Sequence, residues 1–327
     1  MNKQFLITQE DGLNETYQQK IIPFWQHSLT QASFIAKDGL NIAYAYVIHP
    51  QAKGSIVISS GRIEAYIKYK ELVFDLYHNG YSVFIHDHRG QGQSGRMVAN
   101  PHLGYVDDFN DYVDDFELFM QRVVLPRISH QPVLLGHSMG CAIGALYCLH
   151  YPLRFSKAVF SAPMFGIRPA LPKWFATLLV KSHFALGRLL SKQYGYFFGQ
   201  QDYVNHDFVG NNLTHSVIRY DIFRQEYAHN PQVQLGGVSG HWLHAAAQAM
   251  DEIEDTAEKF PIPSLVIQAG GDEVVDNRRQ RKVVAKMPRS ELTIIEHAKH
   301  ELLMEQDPYR IATMQAALTF IAKDTQH

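Results

Sequence analysis

Pro132-Val-Leu-Leu-Gly136-His137-Ser138-Met139-Gly140-Cys-Ala-Ile-Gly144 decides the fold. Pro132 to Leu135 read as the end of a buried strand, Gly136, Ser138 and Gly140 spell G-x-S-x-G, and the run from Cys141 to Leu149 is small, apolar and helix-forming. Strand, sharp turn and helix in that order form a nucleophile elbow: the turn is tight enough to demand glycine beside the serine, and the hydroxyl stands clear at a helix N-terminus. There the backbone N–H of Met139 can meet a developing oxyanion, helped by the positive end of the helix dipole.

Working outward, the same alternation recurs. Phe34–Val47 reads as a hairpin around Asp38-Gly39, Ser55–Ser59 as a buried strand and Glu64–His78 as a helix closed by Asn79-Gly80. Strand Tyr81–His86, the acidic helix Asp107–Val124 and strand Ala158–Ser161 follow. From about Met164 to Phe260 the rhythm stops, and that stretch is helical and rich in aromatics and histidine. It resumes with strand Ser264–Gln268, helix Asn277–Met287, strand Leu292–Ile295 and helix Asp307–Lys323. Strands alternating with helices predict an α/β fold, a mostly parallel sheet covered on both faces. The expected division is a first core part at 1–163, a helical cap at 164–260 and a second core part at 261–327. A helical insertion between two strands sits over the carboxyl ends of the sheet, where such folds hold their ligands.

A serine nucleophile needs a base, and the base needs an orienting acid, in the chain order Ser, Asp or Glu, His on this kind of sheet. After Gln268 comes Ala269-Gly-Gly-Asp272-Glu273-Val-Val-Asp276, and after Ile295 comes Glu296-His297-Ala-Lys-His300-Glu301. Asp272 sits directly beyond its strand, whereas Asp276 precedes a helix as an N-cap and Glu273 faces solvent. His300 lies further out on its loop than His297, which reads as a surface group. The candidate set is therefore Ser138, Asp272 and His300. The second oxyanion donor is sought in Ser59-Ser60-Gly61-Arg62-Ile63-Glu64, with the backbone N–H of Arg62 as the candidate.

Composition narrows the function classes. Apolar residues make up 46% and charged residues 19% of 327, as in soluble globular proteins. A formal net charge of −2 argues against nucleic acid as a bulk partner. The N-terminal stretch has no signal-peptide apolar core, and no run approaches the ~20 apolar residues of a membrane span. Cys141 and Cys148 fall two helical turns apart, about 10 Å, too far for a disulfide, and read as packed thiols of a cytoplasmic protein. In the expected cap, Arg168, Lys173, Lys181, Arg188 and Lys192 alternate with Leu171, Trp174, Phe175, Leu178, Leu179, Phe184 and Leu186. That is the make-up either of an interfacial helix or of a lid over an apolar ligand.

Other motifs dissolve on inspection. Gly90-x-Gly92-x-x-Gly95 follows a strand, but Arg96-Met-Val-Ala-Asn-Pro101 is no helix start, so a dinucleotide site is not expected. His86-Asp87-His88 lacks further ligands at metal spacing, and His300-Glu301 has Met304 where a zinc motif needs histidine. His241 and His244 share a helix face as a packed or substrate-facing pair. No metal or cofactor is called for.

The chain resembles the α/β-hydrolase superfamily, and within it the branch of monoacylglycerol lipases and bacterial inner-membrane lysophospholipases, the latter more closely. The resemblance rests on Ser60-Gly-Arg-Ile-Glu64, Asp87-His-Arg-Gly-Gln-Gly92, Phe109-Asn-Asp-Tyr-Val-Asp114, His137-Ser-Met-Gly140, Ala162-Pro-Met-Phe-Gly166, Leu213-Thr-His-Ser216, His241-Trp242, Val275-Asp-Asn277 and His300-Glu301. Ser60-Gly61 stands where monoacylglycerol lipases open with His-Gly, which favours the lysophospholipase branch. The resemblance implies a serine carboxylic-ester hydrolase taking the single acyl chain from a lysophospholipid. It also implies work on the cytoplasmic face of the inner membrane, with peripheral contact through the cap. A monoacylglycerol lipase, another esterase or thioesterase, or a catalytically idle lipid-binding protein are the rivals. Arg62, Arg168 and Arg219 are the candidates to meet a substrate phosphate, and His241 and Trp242 to line the site.

Overall fold

Residues 5–168, 172, 174–175, 178–180, 182–183 and 195–323 are described by the structure, a computed structural model. Eight strands form one sheet: β1 (Thr30–Ile35), β2 (Asn41–Val47), β3 (Gly54–Ser59), β4 (Tyr81–His86), β5 (Val133–His137), β6 (Lys157–Ser161), β7 (Ser264–Ala269) and β8 (Ser290–Ile295). Their order is β1-β2-β4-β3-β5-β6-β7-β8. The β1–β2 and β2–β4 pairs are antiparallel and every pair from β4 to β8 is parallel.

Side-chain alternation divides the core into two layers. Val57, Phe84, Leu134, Phe160 and Val266 face one way, while Ile56, Ile58, Val83, Ile85, Leu135, Val159, Leu265 and Ile267 face the other. The chain opens with the short helices α1 (Leu13–Thr16) and α2 (Ile22–Ser28). The second layer is covered by α3 (Lys70–His78) and, from the chain's end, Asp307–Ala322. The first layer is covered by α4 (Asn110–Phe119) and α5 (Met139–His150). Strands buried on both faces read as unbroken apolar runs, which is why β3 to β7 were visible in the sequence.

Three elements depart from the sequence reading. The helix expected from Glu64 begins as a 3₁₀ turn at Tyr66–Tyr69, because Ala65 is extended and the Glu64 carboxylate turns back to accept from the amide of Gly61. Strand β1 starts at Thr30 rather than Phe34 and pairs with β2 across its whole length. Within the segment expected as a cap, α6 (Val217–His229) and α7 (Gly240–Thr256) are regular helices. Of these, α7 packs Ala245, Ala246, Ala249, Met250 and Ile253 into the same apolar layer as α5. Lys173, Lys181, Arg188, Lys192, Leu171, Phe184 and Leu186 lie outside the described residues. The helices α8 (Asn277–Val284) and α9 (Asp307–Ala322) complete the alternation.

Candidate active site

The elbow is built by close approach of backbone to backbone. A Cβ on Gly140 would lie 2.0 Å from the carbonyl oxygen of Ser59, so only glycine lets the end of β3 pass the first turn of α5. A Cβ on Gly136 would lie 3.0 Å from Cα of Cys141. Ser138, between them, has φ 50° and ψ −117° and serves as N-cap of α5. A non-glycine residue in this region costs on the order of 1–3 kcal/mol. The turn is held from both sides: the Ser138 amide donates to Ser161 O at 3.1 Å, and its carbonyl accepts from Cys141 and Met164 at 3.0 Å. The N–H of Met139 is among the first of α5, which have no acceptor within the helix.

Loops after β7 and β8 bring two further side chains to the serine. His300 Nε2 lies 2.9 Å from Ser138 Oγ, and His300 Nδ1 lies 2.7 Å from Asp272 Oδ2. The other carboxylate oxygen of Asp272 accepts from the amides of Val274 at 2.8 Å and Val275 at 3.0 Å. All three side chains are buried. Burial opposes charge on His300, but the Asp272 hydrogen bond and charge, with Glu301 and Glu64 beyond, outweigh it and raise its pKa above the ordinary histidine value. Burial likewise opposes charge on Asp272, yet the His300 contact and the two amides hold its pKa below the usual carboxylate value. The neighbouring candidates are occupied elsewhere. Glu273 and His297 are exposed, and Asp276 caps α8 by accepting from the amides of Arg278 and Arg279.

The loop Ser60–Glu64 faces the serine across the same cavity. Ile63 has φ 69°, an unusual conformation for a β-branched residue. Gln91 Nε2 donates to Gly61 O at 2.8 Å and to Glu64 O at 2.9 Å. The glycine-rich stretch that mimicked a dinucleotide site is therefore a brace for this loop. A Cβ on Gly92 would meet the Asp87 carboxylate at 2.1 Å, and that carboxylate accepts from the amides of Tyr66 and Gln93.

Behind His300 lies a buried charged cluster that the sequence reading did not isolate. Lys68 Nζ is 2.6 Å from both Glu64 Oε1 and Glu301 Oε1, and Tyr69 donates to Glu64. His137 Nε2 stands 3.7 and 3.9 Å from the same two carboxylates, and its ring centroid is 5.0 Å from that of His300. Glu64, His137 and Glu301 have metal-ligand spacing, but the Lys68 ammonium already supplies the cation between the carboxylates, so the set does not fit a metal. The available signal was Glu64 and Lys68 at i,i+4 with an unpaired acid beside His300.

A cavity of about 380 Å³ opens over Ser138 and His300, lined among others by Arg62, Met164, Arg224 and Trp242. Trp242 is buried, with the Arg62 guanidinium 5.5 Å from its ring centroid. Arg168 is not in the lining. It is exposed, and its Nη1 donates to the Asp272 carbonyl at 3.1 Å, bracing that loop. His241 also lies off the cavity, its ring 5.3 Å from that of Tyr105. The expectation that Arg219 meets substrate is corrected. It is 1% exposed, and its guanidinium is taken up by Glu71, Asp307, Glu305 O and Thr8 O, which tie α6 to the core. Cys141 and Cys148 are buried free thiols.

Residues 50–307 match the family described as serine aminopeptidase, S33 (Hydrolase_4). The chain is 36% identical over 304 residues to lysophospholipase L2 of Escherichia coli K12, covering 91% of this chain and 88% of that one. It is 31% identical over 307 residues to the probable lysophospholipase L2 of Haemophilus influenzae, covering 92% and 95%. The monoacylglycerol lipase of Paleococcus ferrophilus superposes with a TM-score of 0.65 at 18% identity, over 90% of this chain and 98% of that one.

Proposed function

The chain belongs to the serine aminopeptidase S33 (Hydrolase_4) family of α/β-hydrolases, and from that premise we propose that it is a lysophospholipase working through an acyl-enzyme on Ser138. The observation that carries this reading is the continuous relay Ser138 Oγ–His300–Asp272, with contacts of 2.9 and 2.7 Å, at the floor of a cavity. Neutral His300 accepts the Ser138 proton on Nε2 as Oγ attacks the acyl carbonyl. Asp272 keeps the Nδ1 proton facing it, which leaves Nε2 free to act, and stabilises the imidazolium that forms. The N–H groups of Arg62 and Met139 receive the oxyanion of the tetrahedral intermediate. The C–O bond then breaks, His300 returns its proton to the departing glycerophospho alcohol, and water, deprotonated by the same histidine, releases the fatty acid. The family resemblance and the 36% identity to a lysophospholipase support a single-chain lipid ester as substrate.

Residues 1–163 and 261–327 supply the catalytic core in this reading, with α7 packed on α5 as part of that core, and the rest of 164–260 supplies the cover. The enzyme works as a peripheral protein on the cytoplasmic face of the inner membrane. Among the described residues no helix is long and apolar enough to cross a membrane. Trp174 is 70% exposed and Leu178 54%, as expected of side chains that meet a lipid surface.

Turnover of lysophosphatidylethanolamine, monoacylglycerol and acyl-CoA of equal chain length is the deciding measurement, with Ser138→Ala alongside. Lysophosphatidylethanolamine leads the series, and Ser138→Ala lowers every rate by roughly a million-fold. Monoacylglycerol leading the series would sink the lysophospholipase reading. Activity retained by Ser138→Ala would sink the nucleophile.

A further inference from the structure

Arg224 is a charged side chain of the cavity that pairs with no opposite charge among the described residues. It lies on α6 and lines the cavity that holds Ser138. Its Nη2 donates to Tyr220 OH at 2.8 Å and its Nη1 to Tyr203 OH at 3.3 Å, while its Nε is buried without a hydrogen-bond partner. The guanidinium rests 4.8 Å from the Tyr220 ring centroid and 4.7 Å from that of Phe223, so aromatic faces fix its plane. Among the described residues no carboxylate pairs with it, whereas Arg89, Arg219, Arg279 and Arg310 each hold at least two carboxylates.

Arg62, on the same lining, is in a similar position. Its Nη1 donates to Gly236 O at 3.0 Å, and burial pushes its pKa down to about 10. Carboxylates on the lining are already engaged: Glu64 and Glu301 by Lys68, and Asp202 by the hydroxyl of Tyr196 and the amide of Asn100. Neither guanidinium has a carboxylate partner among the described residues, and each has given up hydration that an anionic ligand restores.

We propose that Arg224, with the side chain of Arg62, binds the phosphate of a glycerophospho head group and so sets the preference for lysophospholipids over neutral monoacylglycerols. The inference rests on the acyl-ester reading of Ser138. A phosphodiester presents two unesterified oxygens to one planar guanidinium fork, which a neutral glycerol head cannot do. The carboxyl end of the acyl chain belongs at Ser138, so the anion held at Arg224 is on the leaving-group side.

The test is competitive inhibition of p-nitrophenyl butyrate hydrolysis by sn-glycero-3-phosphoethanolamine, with inorganic phosphate and glycerol as controls, in wild type, Arg224→Gln and Arg224→Lys. The inhibition constant rises about tenfold in Arg224→Gln and is partly recovered in Arg224→Lys. The ratio of kcat/KM for lysophosphatidylethanolamine to that for monoacylglycerol falls by a similar factor. Inhibition unchanged by Arg224→Gln, or inorganic phosphate inhibiting as well as the phosphodiester, overturns the head-group site. So does an equal fall on both esters, which marks Arg224 as structural only. If the phosphodiester inhibits through Arg224 but lysophosphatidylethanolamine is not hydrolysed, the phosphate site stands and the lysophospholipase reading fails.

Discussion

The hydroxyl of Tyr227, on α6, donates to the carbonyl of Ile63 at 2.9 Å and accepts from the amide of Ala65 at 2.7 Å. A helix from the segment between β6 and β7 therefore holds the loop that carries the candidate oxyanion donor of Arg62. Ile63 sits at φ 69°, a conformation that costs about 1–3 kcal/mol and persists only if its neighbours enforce it. Tyr227→Phe leaves the buried Ala65 amide unpaired, which costs about 1–3 kcal/mol of stability. It also frees the loop to drift. Losing one oxyanion donor outright costs 100- to 1,000-fold, so a loosened one is expected to lower kcat by roughly tenfold with KM little changed. A lowered melting temperature with kcat intact would show that the hydroxyl serves stability alone.

Lys68 is the counter-charge of the cluster behind His300. Replacing it with Met leaves the Glu64 and Glu301 carboxylates buried and unpaired, and breaking such a buried pair costs about 3–5 kcal/mol. Urea denaturation should show that loss for Lys68→Met, and the triple variant Lys68→Met, Glu64→Gln, Glu301→Gln should recover part of it. Equal midpoints for Lys68→Met and wild type would mean the carboxylates find another cation or take up protons at no cost.

The pH profile follows from His300. Its pKa is raised because the contact with Asp272 outweighs burial, and only its neutral form can take the serine proton. kcat/KM therefore climbs with pH as His300 loses its proton, with the midpoint of the acid limb above 6.5, the ordinary histidine value. In Asp272→Asn the hydrogen bond and the negative charge are gone while burial remains, so the limb moves to lower pH. The plateau drops by roughly 10,000-fold because the tautomer is no longer fixed. A limb that stays in place in Asp272→Asn would contradict the assignment of either residue.

The sheet was legible because β3 to β7 are buried on both faces and each is bounded by turn residues, and Ser138 because G-x-S-x-G lies between a strand and a helix. Asp272 could be picked because it lies just beyond β7 and His300 because it lies further out on the loop after β8 than His297, and the structure brings both to Ser138. What stayed hidden is what depends on side chains meeting across long chain separations. Arg219 and Arg224 are five positions apart on one helix, and nothing local in the sequence says that the first is bound by Glu71 and Asp307 while the second faces the cavity. Periodicity assigned α7 to the cap because the strand rhythm had not yet resumed, although its apolar face packs on α5. The turn at Glu64 escaped because its carboxylate caps a loop amide instead of opening a helix.

Trp174 and Leu178, four positions apart in the segment after β6, are 70% and 54% exposed. Leaving such side chains in water forgoes about 1.5–3 kcal/mol each relative to full burial, which the membrane contact proposed above would recover. Neither residue lines the cavity over Ser138. Trp174→Ser with Leu178→Ser should therefore weaken co-sedimentation with phosphatidylethanolamine–phosphatidylglycerol vesicles by tenfold or more, while turnover of soluble p-nitrophenyl butyrate holds. Hydrolysis of lysophospholipid presented in vesicles falls with the binding, and presentation as detergent-dispersed monomer restores it. If the double variant sediments with vesicles as well as wild type does, the exposed pair is not the membrane contact, and the peripheral placement loses its structural support.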